Sequence, residues 1–301
     1  MQKLNEISIL SGKGGTGKTS LAAALATLEK NTVVADCDVD AANLYLILQP
    51  NDYRTEKYIS GHKAVINYDI CTQCGLCKDH CRFNAIERKP ESDYPEGKIT
   101  IVETSCDGCW LCSRICPVNA INMVPSDKSN WFLGKYRYGK MVHARLAPGE
   151  ENSGKLVSVV REQARQTAEE CGAENIIIDG PPGTGCAAIA SLTGANKVVV
   201  VTEPTGTGLH DMKRILDLAG RFQVKRYVII NKSDLNTEIR NNICSWCAKE
   251  GIPVIGNLPF DPRMVHSMVA CKSIQEWAPD SEISASRSEE RRVGKECRSR
   301  W

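Results

Sequence analysis

Three things are missing from this chain, and each absence removes a class of protein. No apolar run in its 301 residues approaches the length of a membrane span. No charge of one sign prevails, with 38 basic residues set against 36 acidic ones, so there is no electrostatic case for binding nucleic acid. The opening stretch MQKLNEISIL has neither a basic flank nor a cleavage site. A cytoplasmic protein is expected. Cysteine, by contrast, is abundant at fifteen residues. Its spacing is that of metal ligands and not of a disulfide scaffold, which suits a reducing compartment where thiolates stay available. A hydrophobic content of 42% supplies a sizeable core, ordinary for a soluble globular domain.

The last fifteen residues, RSEERRVGKECRSRW from Arg287 to Trp301, have no apolar period. They resemble the in-frame translation of a sequencing-library adapter, and 287–301 is read as a non-native tail. Without it the basic and acidic counts fall from 38 and 36 to 32 and 33, and Cys297 leaves the inventory.

Six short β-branched runs read as buried strands of a parallel sheet: Ile7–Leu10, Thr32–Ala35, Ile176–Ile178, Lys197–Thr202, Tyr227–Ile230 and Pro253–Gly256. Helical stretches such as KTSLAAALATLE and GLHDMKRILDLAGRF alternate with them. The expected fold is α/β, a doubly wound and mostly parallel sheet. The alternation stops between Gly61 and Val124, where YDICTQCGLCKDHCRFNAI and ETSCDGCWLCSRICPVNAI form an internal repeat. Residues 61–124 are therefore expected as an inserted domain, with 1–60 and 125–280 forming the discontinuous host.

Gly12-Lys13-Gly14-Gly15-Thr16-Gly17-Lys18-Thr19, followed by Ser20, satisfies the phosphate-loop pattern and sits between a strand and a helix. Its glycines let backbone N–H groups turn toward phosphate oxygens, and the helix N-terminus adds its positive dipole end. Lys18 is expected to neutralise the β- and γ-phosphates of ATP, and the Thr19 hydroxyl to ligate Mg²⁺.

Cys71, Cys74, Cys77 and Cys81 form one quartet; Cys106, Cys109, Cys112 and Cys116, followed by Pro117, form the other. Both follow the bacterial ferredoxin spacing, in which three close thiolates hold one cubane and the fourth ligates the other. That rule assigns Cys71, Cys74, Cys77 and Cys116 to one [4Fe–4S] cluster, and Cys106, Cys109, Cys112 and Cys81 to a second. The expected insert is an α+β bacterial-type ferredoxin module. A zinc site would use separated pairs instead. Arg82 stands where proline usually follows the fourth cysteine, either raising that cluster's potential or simply solvated. Cys37 and Cys171 read as small core residues, and Cys244-Ser-Trp-Cys247 as an incidental pair on a helix. His62 and His143 lack partners at ligand spacing.

Taken together, these motifs resemble the MinD/ParA/Mrp superfamily of P-loop ATPases carrying an inserted ferredoxin domain, over Ile7 to about Trp277. The lysine at position 13 matches the family's deviant phosphate loop. The resemblance implies that Lys13 reaches the partner's phosphates in a dimer that sandwiches ATP, whether a homodimer or a heterodimer with a paralogue. It implies that Asp38, in VVADCDVDAANL, orients the attacking water near Mg²⁺, with Asp36 and Asp40 weaker candidates. Asp179, in IIIDGPPGTGC, would hold Mg²⁺ through water, Gly183 would sense the γ-phosphate, and Asn231 would read adenine. GNLPFDP resembles the loop that packs on the base. Cys186 lies seven residues after Asp179, the offset of the cluster cysteine in nitrogenase iron protein, but its second bridging cysteine has no counterpart here. The implied function is ATP hydrolysis coupled to the clusters, for electron delivery or iron–sulfur assembly with a redox or assembly partner. An Mrp-type cluster carrier is the alternative, and a MinD-like positioning ATPase a third reading.

Overall fold

The computed structural model describes residues 4–28, 31–150, 153–281 and 284. The 287–301 tail, with Cys297, lies outside them. Over the described residues the chain divides into two compact units. One comprises Met1–Thr55, Trp131–Ala144 and Ser153–Trp301; the other comprises Glu56–Asn130 and Arg145–Asn152.

In chain order the first unit opens with β1 (Asn5–Ser11), α1 (Lys18–Leu28), β2 (Thr32–Asp36), α2 (Leu44–Leu48) and β3 (Asn51–Tyr58). The second unit contains β4 (Gly61–Ile66), α3 (Leu76–Asp79), β5 (Ile86–Glu91), β6 (Tyr94–Ile101), α4 (Leu111–Ile115) and β7 (Ile121–Ser126). Then follow β8 (Ser129–Lys135), β9 (Gly139–Arg145), α5 (Ser153–Cys171), β10 (Asn175–Pro182), α6 (Cys186–Leu192), β11 (Lys197–Thr202) and α7 (Gly206–Gly220). β12 (Lys225–Asn231), α8 (Thr237–Lys249), β13 (Val254–Leu258), α9 (Arg263–Val269) and α10 (Ile274–Trp277) follow.

The main sheet has nine strands in the order β13-β12-β11-β1-β10-β2-β9-β8-β3. The seven from β13 to β9 run parallel. Both faces are buried, and the register shows how. Ile9, Val34, Ile177, Val199 and Ile229 point to the side covered by α1 and α2. Leu10, Val198, Val200, Val228 and Ile230 point to the side packed with Leu192, Met212, Ile215, Leu216 and Ile243. Each such Val or Ile contributes roughly 1.5–3 kcal/mol of burial. From β1 the chain steps out to β2, returns to β10 between the two, and then crosses to β11, β12 and β13 on the other side of β1. The chain reverses at β1, the switch point where open α/β sheets bind ligands outside the strand carboxyl ends.

Three strands of the sheet, β3, β8 and β9, have no counterpart among the six apolar runs. Seven of the eight residues of β3 are exposed, and β9 carries the polar His143 in its interior. The second unit also extends past the 61–124 interval expected for the insert. Lys63 Nζ donates to the Gly149 carbonyl at 2.7 Å, the Ala147 amide donates to Ser129 Oγ at 3.0 Å, and Ser126 Oγ donates to Glu150. These bonds bind 145–150 into the unit, although no local sequence pattern marks them.

The second unit is built on two antiparallel pairs, β4 with β7 and β5 with β6. Ala64, Ile66, Ile86, Ile99 and Ile121 form its core, and six cysteines of the two quartets pack against it. No helix among the described residues is long and apolar enough to cross a membrane.

Candidate functional site

The glycine-rich loop leaves β1 at Ser11 and opens α1 at Lys18. Gly14 and Gly15 stand exposed at its crest, while Thr16 and Lys18 are buried. Gly17 has φ +92°, and a methyl group there would strike the Asn231 side-chain amide, so this turn is closed to other residues. Asn231 Nδ2 donates to the Thr16 carbonyl at 2.8 Å, and Lys232 Nζ reaches the Gly15 carbonyl at 3.4 Å. The end of β12 thus braces the loop. Ser20 lies within α1, its hydroxyl directed to Met268 Sδ at 3.5 Å.

Acidic residues gather at the same sheet edge. Asp36 and Asp179 are register partners on β2 and β10, and both are buried. Asp36 accepts the Asp38 and Leu44 amides at 3.2 Å each, which fixes the loop leading into α2. Burial and the neighbouring Asp179 raise its carboxyl well above the ordinary range. Among the described residues neither oxygen of Asp179 has a partner in good hydrogen-bond geometry, although the Thr19 hydroxyl lies near enough to act on it. Burial pushes its carboxyl up to about 6, against the pull of Lys18 and the Thr19 hydroxyl. Asp38 faces Lys18, with Oδ2 3.7 Å from Nζ, and burial raises it despite that ammonium. A buried carboxylate with both oxygens unsatisfied, beside a lysine and a threonine at a helix start, suits a divalent cation carrying a polyphosphate.

Gly183, at φ +84°, donates its N–H to the Ser11 carbonyl at 2.9 Å. Lys13 Nζ lies 3.2 Å from Glu203 at the end of β11, and Lys232 pairs with the other oxygen of the same carboxylate. Glu203 escaped the sequence reading. Its signal was position, one residue past a strand that ends at the same sheet edge as the phosphate loop.

The eight quartet cysteines line two cavities in the second unit. Cys71, Cys74, Cys77 and Cys116 line one. Cys81, Cys106, Cys109 and Cys112 line another, and Cys77 contributes to its wall as well. The two loops repeat one backbone course. Gln73 and Gly75 take left-handed φ of 57° and 83°; their counterparts Gly108 and Trp110 take 68° and 67°. A side chain at Gly108 would collide with the His62 carbonyl, whereas Gln73 has room and donates to Cys71 Sγ at 3.5 Å. The repeated Asn-Ala-Ile endings have a purpose in the same geometry. Asn84 and Asn119 are left-handed at φ 48° and 52°. Each turn aims the next amide back at a sulfur: Ala85 N–H at Cys81 Sγ, 3.4 Å, and Ala120 N–H at Cys116 Sγ, 3.2 Å.

The donor set defines what these cavities can hold. Burial, together with neighbouring thiols, pushes Cys112 up to about 11 and raises Cys77. Deprotonating such a group of thiols requires a cationic centre among them. Among the described residues no three His, Cys, Asp or Glu side chains converge as a single metal ion requires. The donor set on offer at each cavity is four or more cysteines, the residue type that iron–sulfur ligation uses.

The remaining candidates lie elsewhere. Cys37 is buried; Cys171, expected in the core, is half-exposed at the end of α5 because the helix stops there. Cys244 and Cys247 lie on α8, and Cys186 is exposed at the start of α6. His62 leans on Trp110 with ring centroids 5.2 Å apart. His143 is buried, stacked against Tyr45 and Phe132, with Nε2 3.0 Å from Asp52. Asp40 is exposed.

Comparison with known proteins places the chain in a family. The family described as the CobQ/CobB/MinD/ParA nucleotide binding domain matches residues 7–269. An uncharacterized protein of Methanocaldococcus jannaschii, MJ0578, is 36% identical over 234 residues, covering 77% of this chain and 79% of its own length. The uncharacterized ATP-binding protein MJ0547 of the same organism is 26% identical over 264 residues, or 86% of this chain and 75% of its own. Among solved structures, the septum site-determining protein MinD of Pyrococcus horikoshii, complexed with Mg-ADP, superposes with a TM-score of 0.57. That alignment covers 95% of this chain and 94% of MinD at 17% identity, which speaks to the fold.

Proposed function

The chain belongs to the CobQ/CobB/MinD/ParA nucleotide-binding family, and from that premise we propose an ATPase that carries two [4Fe–4S] clusters. Nucleotide binding by a MinD/ParA-type P-loop protein is the family's common ground. The finer reading is an ATP-dependent protein for electron delivery or iron–sulfur assembly. The observation that carries it is the interleaving of the quartets: Cys116 of the second joins Cys71, Cys74 and Cys77 at one cavity, and Cys81 and Cys77 of the first join Cys106, Cys109 and Cys112 at the other.

At the nucleotide site, the backbone N–H groups of 12–19 receive the phosphates and Lys18 neutralises them. Thr19 and the unsatisfied Asp179 hold Mg²⁺. Asp38, which Lys18 holds nearby, is the residue to orient water. Asn231 spends its amide N–H₂ on Thr16, and its Oδ1 remains to accept from the adenine amino group. Gly183 senses the γ-phosphate by giving up its bond to Ser11. Lys13 serves a second copy, identical or paralogous, once it leaves Glu203.

In the second unit Cys71, Cys74, Cys77 and Cys116 hold one cluster, and Cys81, Cys106, Cys109 and Cys112 the other. When bound, such clusters supply one-electron chemistry. The chain's own contribution is to place amide donors on Cys81 and Cys116, to give Cys77 to both cavity walls, and to leave Cys74 and Cys109 exposed. Exposed Leu76, Phe83, Trp110 and Val118 beside them offer an apolar rim for a redox or assembly partner.

Chain connectivity suggests why one protein needs both parts. The segment that carries Asp38 runs through α2 into β3 and from there into the cysteine-bearing unit. A loop that rearranges with the γ-phosphate is thereby joined to the clusters. The test is to measure ATPase rate and cluster potentials on anaerobically purified protein, with and without ATP. A change in either that depends on the other supports coupling. Turnover that ignores removal of the iron, with potentials that ignore ATP, overturns it.

A further inference from the structure

Among the described residues of the second unit, Lys63 is the one charged side chain that is buried, at 7% exposure. It lies on β4, and its Nζ donates to the Cys106 carbonyl at 2.7 Å and to the Gly149 carbonyl at 2.7 Å. No carboxylate lies within ion-pair distance of it among the described residues. Two carbonyls replace part of its hydration, but they do not neutralise its charge. A buried ammonium left in that condition is costly. One of the two carbonyls belongs to Cys106, a member of the second quartet, and a four-thiolate iron–sulfur group is anionic.

The other cations near the cavities are placed differently. Arg88 donates to the Gln73 and Gly97 carbonyls, both at 3.0 Å, but it is half-exposed. Arg82 beside Cys81 is exposed, as is Asp107 on the second loop. Charges that face water are screened within about a Debye length of roughly 8–10 Å, whereas a buried charge keeps its field. Of these cations Lys63 is the buried one, and its Nζ is bonded to the backbone of a cysteine that lines the cavity of Cys81, Cys106, Cys109 and Cys112.

We propose that Lys63 is the fixed counter-charge of the second cavity, making its cluster the easier of the two to reduce. The assignment rests on the two-cluster reading. It is tested by voltammetry on anaerobically purified full-length chain, with iron and sulfide counted in the same samples. Two reduction waves are expected. In Lys63→Gln the upper wave moves to lower potential while the lower wave stays, and Lys63→Arg restores the original separation. Equal movement of both waves, or movement of neither in iron-replete protein, overturns the role of Lys63 and leaves the clusters standing. Absence of iron and sulfide from the wild type overturns the cluster reading, and the assignment with it.

Should Lys63→Gln fail to fold, the wild-type order of the waves decides. Cys109→Ser is expected to alter the upper wave and Cys74→Ser the lower one. The reverse pattern contradicts the proposal.

Discussion

Glu203 grips Lys13 at 3.2 Å with one carboxylate oxygen and Lys232 with the other. Because Lys232 also reaches the Gly15 carbonyl, this one carboxylate ties two cations to the crest of the phosphate loop. Its burial, which alone would raise its pKa, is outweighed by hydrogen bonds from Lys232 and Lys13, and the carboxyl lies below its ordinary value. A depressed carboxyl contributes stability above its unfolded pKa and loses it as pH falls through the folded one. Glu203→Gln is therefore expected to lower stability by about 1 kcal/mol at pH 7. The difference from wild type should shrink once the pH drops below the ordinary glutamate value of 4.5. Urea denaturation at a series of pH values checks this, and a gap that widens in acid contradicts it.

Asp179 has the opposite sign. Its carboxyl is raised to about 6 from 3.8, so between those values the folded chain holds a proton that the unfolded chain has released. Stability on its account is present below the unfolded pKa and is lost as pH rises through about 6. The adjacent Asp36, also raised, adds to the same slope. Binding of Mg²⁺ with a nucleotide needs the ionised form, so affinity should strengthen as pH rises through about 6. Asp179→Asn is expected to stabilise the protein at pH 8 without Mg²⁺ and to abolish the Mg²⁺ dependence of nucleotide affinity. Urea denaturation at pH 8 without Mg²⁺ checks the first expectation, and titrating a non-hydrolysable ATP analogue with and without Mg²⁺ at pH 5.5 and pH 8 checks the second.

Two glycines of the phosphate loop should behave differently. Gly17 combines φ +92° with a collision against Asn231, whereas a methyl group at Gly14 meets nothing within 4 Å. Gly17→Ala is expected to lose about 2 kcal/mol or more and to release nucleotide. Gly14→Ala should stay within about 1 kcal/mol of wild type. Thermal melts of the two variants settle the comparison.

The crossed ligand sets make a sharper demand on the cysteines. Cys116→Ser is expected to damage the same cluster as Cys74→Ser, although the two residues are 42 positions apart. Cys81→Ser should match Cys109→Ser. Low-temperature EPR of the four reduced variants distinguishes this pattern from one in which each quartet serves its own cluster.

Much of this was legible in the sequence because the elements concerned are locally determined. The run KVVVVT is the whole of β11, and the phosphate loop declares itself through glycines that its backbone requires. The Asn-Ala-Ile repeat was visible as a repeat, but its purpose was not. Only the left-handed φ of Asn84 and Asn119 reveals that each turn returns an amide to a sulfur. Glu203, Lys63 and the 145–150 segment were hidden for a shared reason. Their roles come from contacts with residues distant in the chain, such as Glu203 with Lys13 and Lys63 with Cys106. β3 was hidden because its exposed residues carry no apolar alternation.

The account stands or falls on what the two cysteine cavities contain. The direct measurement is iron, acid-labile sulfide and zinc per chain in protein purified without oxygen. About eight iron and eight sulfide with no zinc is the predicted result. An ATP-binding chain that carries zinc, or no metal at all, contradicts it.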